Sequence, residues 1–217
     1  MNHLDIDKVT LKSGAHSGPD DGMCVMEAVA YFAGEPFSDR PRCTSPVIGA
    51  FLRSWNDGLP TDQDRAMLKP YIPKVVGTNT GPADDEKRAF LAIDWLIREC
   101  TPAWLRLAGL MDKAEKLGQL AEILDYTSAS SARPAIEGAA EAARAAWAAG
   151  AAGAAGAARA AGAAEAARAA RAAEASASPA EVRKRIEEAI ENELKPVTKG
   201  LQVSALSLLD RMVAVGR

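Results

Sequence analysis

The amino-acid sequence predicts an all-α protein, built as a compact helical domain with an Ala-rich helical insertion. Apolar residues recur at intervals of three and four along most of the chain, and helix-capping residues stand at the ends of these segments. The insertion consists of x-Ala-Ala triplets between residues 138 and 175, and alanine has the highest helix propensity. At most one short strand is expected, around Val9 to Leu11.

The first predicted helix runs through the segment MCVMEAVAYFA. Asp20 or Asp21 can cap its start, because a carboxylate accepts the backbone N–H groups that have no partner in the first turn. Gly34 can end it, since glycine adopts the left-handed conformation of a helix C-terminus. The helix is apolar on nearly every side, which predicts a central and buried position.

Ser45 and Pro46 are typical of the start of a second helix, in which Pro46 takes the first position, where its missing N–H costs nothing. Gly58 can end it. The residues predicted to face the core are Val47, Phe51 and Trp55. Thr61 and Asp64 then have the spacing of a capping box and predict a short helix that stops before Pro70. Residues 71–81 are predicted to form a loop.

A longer helix begins at Pro82, and Pro102 starts a further turn or two through Leu107. The apolar stripe predicted for the helix that begins at Pro82 is Ala89, Ile93, Leu96 and Cys100. The residues predicted to lie opposite, towards solvent, are Lys87, Asp94 and Arg98. Another amphipathic helix carries Leu117, Leu120 and Leu124, and we expect the segment TSASSARP to be the loop that closes it.

The sequence leaves two forms of the insertion open. One is a straight helix of about 57 Å, the length of the 38 residues from 138 to 175 at 1.5 Å each. The other is a helical hairpin or a sharp bend at Gly150, Gly153 and Gly156, which together cost about 3 kcal/mol relative to alanine. We predict the interrupted form. The uncharged side of the first half, with Gly153 and Trp147, is predicted to pack against another surface.

After the insertion, Ser178 and Pro179 predict a new helix that stops at Pro196, and Gly200 precedes a last helix. The predicted organisation is therefore residues 1–132 as the N-terminal part of the helical core, 133–177 as the insertion, and 178–217 as helices that complete the core.

Composition excludes several classes of function. The net charge of −3, with 25% charged residues, predicts neither a nucleic-acid partner nor binding to an anionic membrane. The chain lacks a run of about 20 apolar residues, so no membrane span is predicted. The N-terminus has no signal-peptide pattern, and the three cysteines form no CxxC pair. A cytoplasmic location follows as the expectation.

Cys24, His16 and Glu27 form the most suggestive constellation. We expect Cys24 near the third position of the first helix, where the helix dipole lowers the pKa of a thiol. Glu27 lies one turn further on, and His16 is close enough in sequence to fold back. A Cys–His–acid site is therefore one interpretation. The other is structural: a buried thiol, a solvent-facing or paired Glu27 and a surface histidine.

A metal site is an alternative use of the same region, with His16, Cys24 and Cys43 as candidate ligands, together with Glu27 or Cys100. Zinc suits these residue types, but recognisable sites contain a short chelating pair such as C-x₂₋₄-C, which the chain lacks. No metal and no other cofactor is predicted.

The block GMCVMEAVAYFAGEPFSDRPRC, together with SPVIGAFLRSWND, DWLIRECTPAWLRLAG and LLDRM, resembles a family of uncharacterised proteins from actinobacteria and their phages. The resemblance covers the chain on both sides of the insertion. It implies a shared helical unit that the Ala-rich tract elaborates, and it supplies no catalytic residues.

The sequence favours a non-enzymatic binding or structural protein, and the resemblance implies a phage or prophage origin. The expected partner is another protein or a second copy, through the uncharged Ala/Gly/Trp147 face. The alternative is a small cysteine- or metal-dependent enzyme centred on Cys24.

Overall fold

The computed structural model describes residues 5–146 and 179–217, and the side chains of all of these except residues 179–193. It confirms the all-α class: the described residues contain no strand, and Leu11 and Met23 form an isolated bridge. The described helices are α1 (Val25–Ala33), α2 (Pro46–Gly58), α3 (Asp62–Arg65), α4 (Tyr71–Lys74), α5 (Pro82–Trp95), α6 (Thr101–Leu107), α7 (Met111–Gly118), α8 (126–146) and α9 (Pro179–Ala214).

The chain divides into two compact units. The first unit is Met1–Ile93 together with Leu206–Arg217, and the second is Asp94–Ala205. The first unit is therefore discontinuous in sequence, since its last segment follows the whole of the second.

Helix α1 is the centre of the first unit and packs against α2 and α4. The prediction of a buried α1 is confirmed, because Val25, Met26 and Val29 are completely inaccessible to solvent. Gly34 ends the helix in the left-handed conformation, as predicted, and its N–H donates to carbonyls of the last turn. The other large buried apolar side chains of this unit include Leu11, Ile48, Leu52, Leu68, Ile72, Leu208, Leu209 and Met212.

Two predicted helix starts are confirmed. Ser45 accepts hydrogen bonds from the first N–H groups of α2, with Pro46 at the first position. Thr61 and Asp64 form the expected capping box of α3. The prediction of a loop throughout 71–81 is wrong, because Tyr71–Lys74 is helical. Pro73 is compatible with that helix, since the N–H groups of a first turn need no helical acceptor.

The predicted core face of α2 is wrong by one position. The structure buries Ile48, Leu52 and Asn56. Phe51 and Trp55 instead stack edge to face at 5.7 Å between ring centroids and stay half-buried. The sequence pattern did not indicate the buried face of α2, because the polar residue Asn56 interrupts its apolar stripe. Its amide is satisfied inside the core by the N–H of Val25 and the carbonyl of Lys12.

The predicted apolar stripe of α5 is also wrong. Ile93 and Leu96 are 38% and 52% exposed, whereas Arg88 and Asp94 are buried at 0% and 3% exposure. Each buried charge has its own partners: Arg88 binds within the first unit, and Asp94 accepts hydrogen bonds from Arg98 and from the N–H of Ile123 in the second. Buried charges are stable only where they are paired in this way, and sequence periodicity does not reveal the partners.

Helices α5 and α6 are joined by a wide turn at Leu96–Cys100. Pro102 lies near the start of α6, as predicted, and has no N–H to donate to the preceding turn. A wider turn is one of the ways in which a helix absorbs such a residue. The hydroxyl of Thr101 donates to the carbonyl of Leu96 at 2.7 Å and satisfies one acceptor of the turn.

The core of the second unit contains Leu105, Leu117 and Ala139, from α6, α7 and α8. Leu117 is buried as predicted, but α7 ends at Gly118 and Leu124 is 57% exposed. The prediction of a loop at TSASSARP is wrong, because residues 126–146 are helical. Asp125 and Ser128 explain the start of α8, since each side chain accepts the backbone N–H of the other.

The predicted break at Pro196 and Gly200 is wrong, because α9 continues through both. A proline inside a helix removes one backbone hydrogen bond and costs about 3 kcal/mol, which tertiary contacts can offset. The residues on which the predicted interruption and interaction face depend, Trp147, Gly150, Gly153 and Gly156, lie outside the described residues. Within the described part of the chain, no helix is both long and apolar enough to span a membrane.

Candidate functional site

Cys24 immediately precedes α1 and caps its start. The structure corrects two expectations: Asp20 and Asp21 lie in a separate short turn, Pro19–Asp21, and Cys24 is the cap residue itself rather than the third residue of the helix. Its sulfur accepts the N–H of Glu27 at 3.5 Å, and the Glu27 carboxylate accepts the N–H of Cys24 at 2.8 Å. This is a capping box in which a thiol replaces the usual hydroxyl.

Glu27 also binds His16, so the structure brings together the three residues that the sequence singled out. The backbone N–H of His16 donates to Oε1 of Glu27 at 2.8 Å, and Nδ1 of the His16 ring lies 2.7 Å from Oε2. The side chain of Glu27 is 2% exposed and that of His16 is 12% exposed. Glu27 is therefore the centre of the cluster, and it ties the loop before α1 to the first turn of the helix.

Hydrogen bonding keeps Glu27 ionised. Burial acts to raise its pKa, but the N–H groups of Cys24 and His16 and the His16 ring act against burial and prevail. The pKa of Glu27 consequently lies below its usual value. A carboxylate that accepts several N–H bonds in a buried place is a stable structural anchor, and all of these bonds come from the protein itself.

The Cys24 thiol is poorly suited to nucleophilic chemistry. Burial is the main cause that raises its pKa to about 12, and the nearby charge of Glu27 adds to the increase. At pH 7 such a thiol is almost entirely protonated, whereas catalytic cysteines need a lowered pKa. Neither of the two cavities described below is lined by Cys24, His16 or Glu27.

Cys43 lies in the loop between α1 and α2, where its N–H donates to Oε1 of Glu35 and its sulfur is 3.8 Å from the Thr44 hydroxyl. Burial raises the pKa of Cys43. Cys100 belongs to the second unit, and all three cysteines are free. Among the described residues, no three His, Cys, Asp or Glu side chains are grouped closely enough to hold a metal ion, so His16, Cys24 and Cys43 form no such group.

Sequence reasoning missed Arg88, which is completely buried in the first unit. Its guanidinium donates to the carbonyls of Met212 and Val215 at 3.1 and 2.7 Å and to Asp85 at 3.0 Å. The carbonyl of Met212 lies in the last turn of α9 and that of Val215 just beyond the helix, where carbonyls lack the regular helical hydrogen bond. The three-residue spacing of Asp85 and Arg88 was visible in the sequence, but nothing local indicated the acceptors near the C-terminus.

Comparison of the chain with protein families, with curated proteins and with solved structures finds no match.

Proposed function

We propose that this protein is a non-enzymatic interaction protein and that its second unit docks onto a second copy of the chain. The observation that carries the proposal is a set of three exposed apolar residues on α6 and at the start of α7, here named the strip. The strip consists of Trp104, Leu107 and Met111, which are 43%, 39% and 61% exposed. Large apolar side chains grouped in this way favour a docking surface, and tryptophan is enriched among the residues that dominate binding energy.

The surroundings of the strip support contact with another copy. A hollow of about 240 Å³ is lined by apolar residues, among them Leu110, Met111 and Ala142, and by the charged residues Asp112 and Lys113. A two-fold interface brings the same patch of both copies together, so it requires a surface that is complementary to itself. Apolar side chains beside a hollow, with one acidic and one basic residue, support such a pairing, because each copy offers apolar groups, a recess and both charges.

The Cys24 cluster supports a binding role over the enzymatic alternative. Its thiol is protonated and buried, and the Glu27 carboxylate is occupied by hydrogen bonds from the protein. An enzyme centred on Cys24 would need an accessible thiolate.

The test is the mass of the full-length protein in solution, measured by light scattering after size-exclusion chromatography over a wide range of concentrations. We expect a monomer–dimer equilibrium that Trp104→Glu and Met111→Glu each shift strongly to monomer. Leu124→Glu is the matched control, because Leu124 is 57% exposed and lies outside the strip. A wild-type protein that stays monomeric at all concentrations, or a dimer that survives both substitutions, would contradict the proposal.

Two further parts of the proposal concern origin and location. The resemblance of residues 22–43 to actinobacterial and phage-associated proteins supports a phage or prophage origin. Phage structural genes next to the gene of this protein would agree with that origin. A gene neighbourhood without phage genes would contradict it. Three free cysteines support a reducing compartment such as the cytoplasm. Recovery of the protein in a periplasmic or secreted fraction would contradict that location.

A further inference from the structure

The loop between α1 and α2 is held in one shape by hydrogen bonds. The carboxylate of Glu35 accepts the N–H groups of Arg42 and Cys43, at 2.6 and 2.8 Å, so that the two ends of the loop meet. The guanidinium of Arg53, on α2, donates to the carbonyl of Asp39 at 2.9 Å and ties the middle of the loop to that helix. These ties make the loop a preformed wall rather than a segment that must be ordered by a ligand.

A cavity of about 250 Å³ opens between this loop, the start of α2 and Asn79. The charged residues that line it are Arg40 and Arg53, both cationic, and its polar lining includes Thr44 and Asn79. The amide of Asn79 donates to the carbonyl of Arg42 at 2.8 Å, which fixes its position. A chain with a net charge of −3 thus concentrates two arginines on one small concave surface.

The two arginines differ in how they are held. Arg53 is half-buried and anchored to Asp39, whose carboxylate lies 3.6 Å from its Nε. Arg40 is exposed, and its guanidinium forms no hydrogen bond or ion pair with any described residue. Guanidinium groups bind phosphate oxygens through paired N–H donors. A fixed arginine together with an uncommitted one provides a preformed contact and one that can close over a bound anion.

Thr44 provides a buried polar group on the same wall. The residue is 3% exposed, and the contact of its hydroxyl is the sulfur of Cys43 at 3.8 Å, which is a weak interaction. The neighbouring N–H groups of α2 are already used, because Val47 and Ile48 donate to the hydroxyl of Ser45. Side chains, rather than free helix N–H groups, therefore supply the donors of this cavity.

We propose that this cavity binds a small phosphate-bearing ligand, held by Arg40 and Arg53 with Thr44 and Asn79 as additional hydrogen-bonding groups. The charge of the lining selects an anion, and the paired donors of two arginines match a phosphate group. The volume sets the size of the ligand. Pockets for drug-sized molecules occupy about 300–1,000 Å³, so a cavity below that range fits a phosphate with a small organic group better than a nucleotide.

The test is a titration of the full-length protein with inorganic phosphate at low ionic strength, in which binding is measured by calorimetry and by NMR. We expect a dissociation constant on the order of 1 mM or lower. The NMR signals of Thr44 and of the Asn79 amide should shift in the same titration. Arg40→Gln should weaken binding by about tenfold or more, which is the effect of losing one hydrogen bond to a charged group. Added salt should weaken binding as well.

Arg42→Gln is the matched control, because Arg42 is an exposed arginine two residues away that does not line the cavity. Its dissociation constant should stay within about twofold of wild type, the scatter expected of a surface substitution. Equal losses in both variants would show that phosphate senses surface charge in general and would overturn the proposal. Absence of any saturable binding to the wild-type protein would overturn it too.

Two more titrations identify the source of the phosphate group. If glycerol 3-phosphate binds more tightly than inorganic phosphate, the ligand of the site is a phosphate monoester. If inorganic phosphate binds more tightly, the ligand is free phosphate. Succinate that binds more tightly than both phosphate ligands would overturn the phosphate assignment. Arg53→Lys, which keeps the charge but loses the paired donors, should weaken phosphate binding while the circular dichroism spectrum stays unchanged.

Discussion

Glu27 anchors the start of α1, and its protonation links the stability of the first unit to pH. Its pKa is lowered in the folded protein, because the N–H groups of Cys24 and His16 and the His16 ring outweigh the effect of burial. A carboxyl group with a lowered pKa stabilises the fold above its unfolded pKa of about 4.3. That stabilisation is lost as the pH falls through the folded pKa.

We therefore expect the free energy of unfolding of the wild-type protein to decrease below about pH 4, measured by urea unfolding at a series of pH values. Glu27→Gln should be less stable than wild type at pH 7 by about 1.5–3 kcal/mol, the value of a hydrogen bond to a charged group. The difference between the two proteins should shrink in acid. A difference that stays constant from pH 7 to the acid range would contradict this role of Glu27.

The Cys24 thiol should be the slowest of the three cysteines to react in the native protein. Its pKa is raised to about 12, mainly by burial, and the residue is 3% exposed, whereas Cys43 and Cys100 are only half-buried. Iodoacetamide at pH 7, with the modified sites followed by peptide mass spectrometry, should therefore label Cys43 and Cys100 first. In urea the three rates should become similar. Preferential labelling of native Cys24 would revive the enzymatic alternative.

At the scale of the helices, Arg88 fastens the C-terminal end of α9 to the start of α5 within the first unit. Removal of its side chain takes a buried donor away from the carbonyls of Met212 and Val215 and from the carboxylate of Asp85, which keeps its hydrogen bond from the Ser45 hydroxyl. Arg88→Met should therefore lower the free energy of unfolding by about 3–5 kcal/mol, as for other broken buried ion pairs. Urea unfolding followed by circular dichroism measures the change.

Lys87→Met is the matched control on the same helix. Lys87 is 67% exposed and pairs with Asp84 at 3.0 Å across three residues, a surface arrangement that contributes little. Its substitution should change the stability by less than about 0.5 kcal/mol. Similar effects of the two substitutions would contradict the assignment of Arg88 as the fastening residue.

Structural features that depend on residues close together in sequence could be predicted, whereas those that depend on distant residues could not. The helix caps at Ser45 and Thr61 and the end of α1 at Gly34 were predicted correctly, because each depends on neighbours within a few residues. The buried faces of α2 and α5 were not, because Asn56 and Arg88 are satisfied by partners 31 and 127 residues away. A prediction based on the periodicity of apolar residues places buried polar residues such as these at the surface.

The candidate site shows the same division. The sequence offered the grouping of Cys24, His16 and Glu27 as one of two interpretations, because the three residues lie within a stretch of twelve residues around one helix start. Whether that grouping is reactive depends on burial and on how many N–H groups reach Glu27, and neither quantity can be read from spacing. The cavity with Arg40 and Arg53 was missed, because its walls come from a loop, from α2 and from Asn79.

At the scale of the whole molecule, the first unit is completed by residues 206–217. Leu208, Leu209 and Met212 are at most 2% exposed, and the hydroxyl of Tyr71 donates to the carbonyl of Leu206 at 3.1 Å. The N-terminal residues therefore cannot bury their core without the last segment of the chain. Substitutions of buried residues at the end of α9 should therefore lower the local stability of α1 and α4.

Leu209→Ala tests this dependence, because Leu209 is completely buried in the first unit. Truncation of a buried leucine removes apolar contacts and leaves a cavity, so the free energy of unfolding should fall by about 2–5 kcal/mol. Backbone hydrogen exchange in α1, which is remote in sequence, should become faster in the same variant. Val203→Ala, on the same helix but 63% exposed, should change stability by less than about 0.5 kcal/mol. Exchange in α1 that stays at the wild-type rate in Leu209→Ala would show that the two segments fold independently.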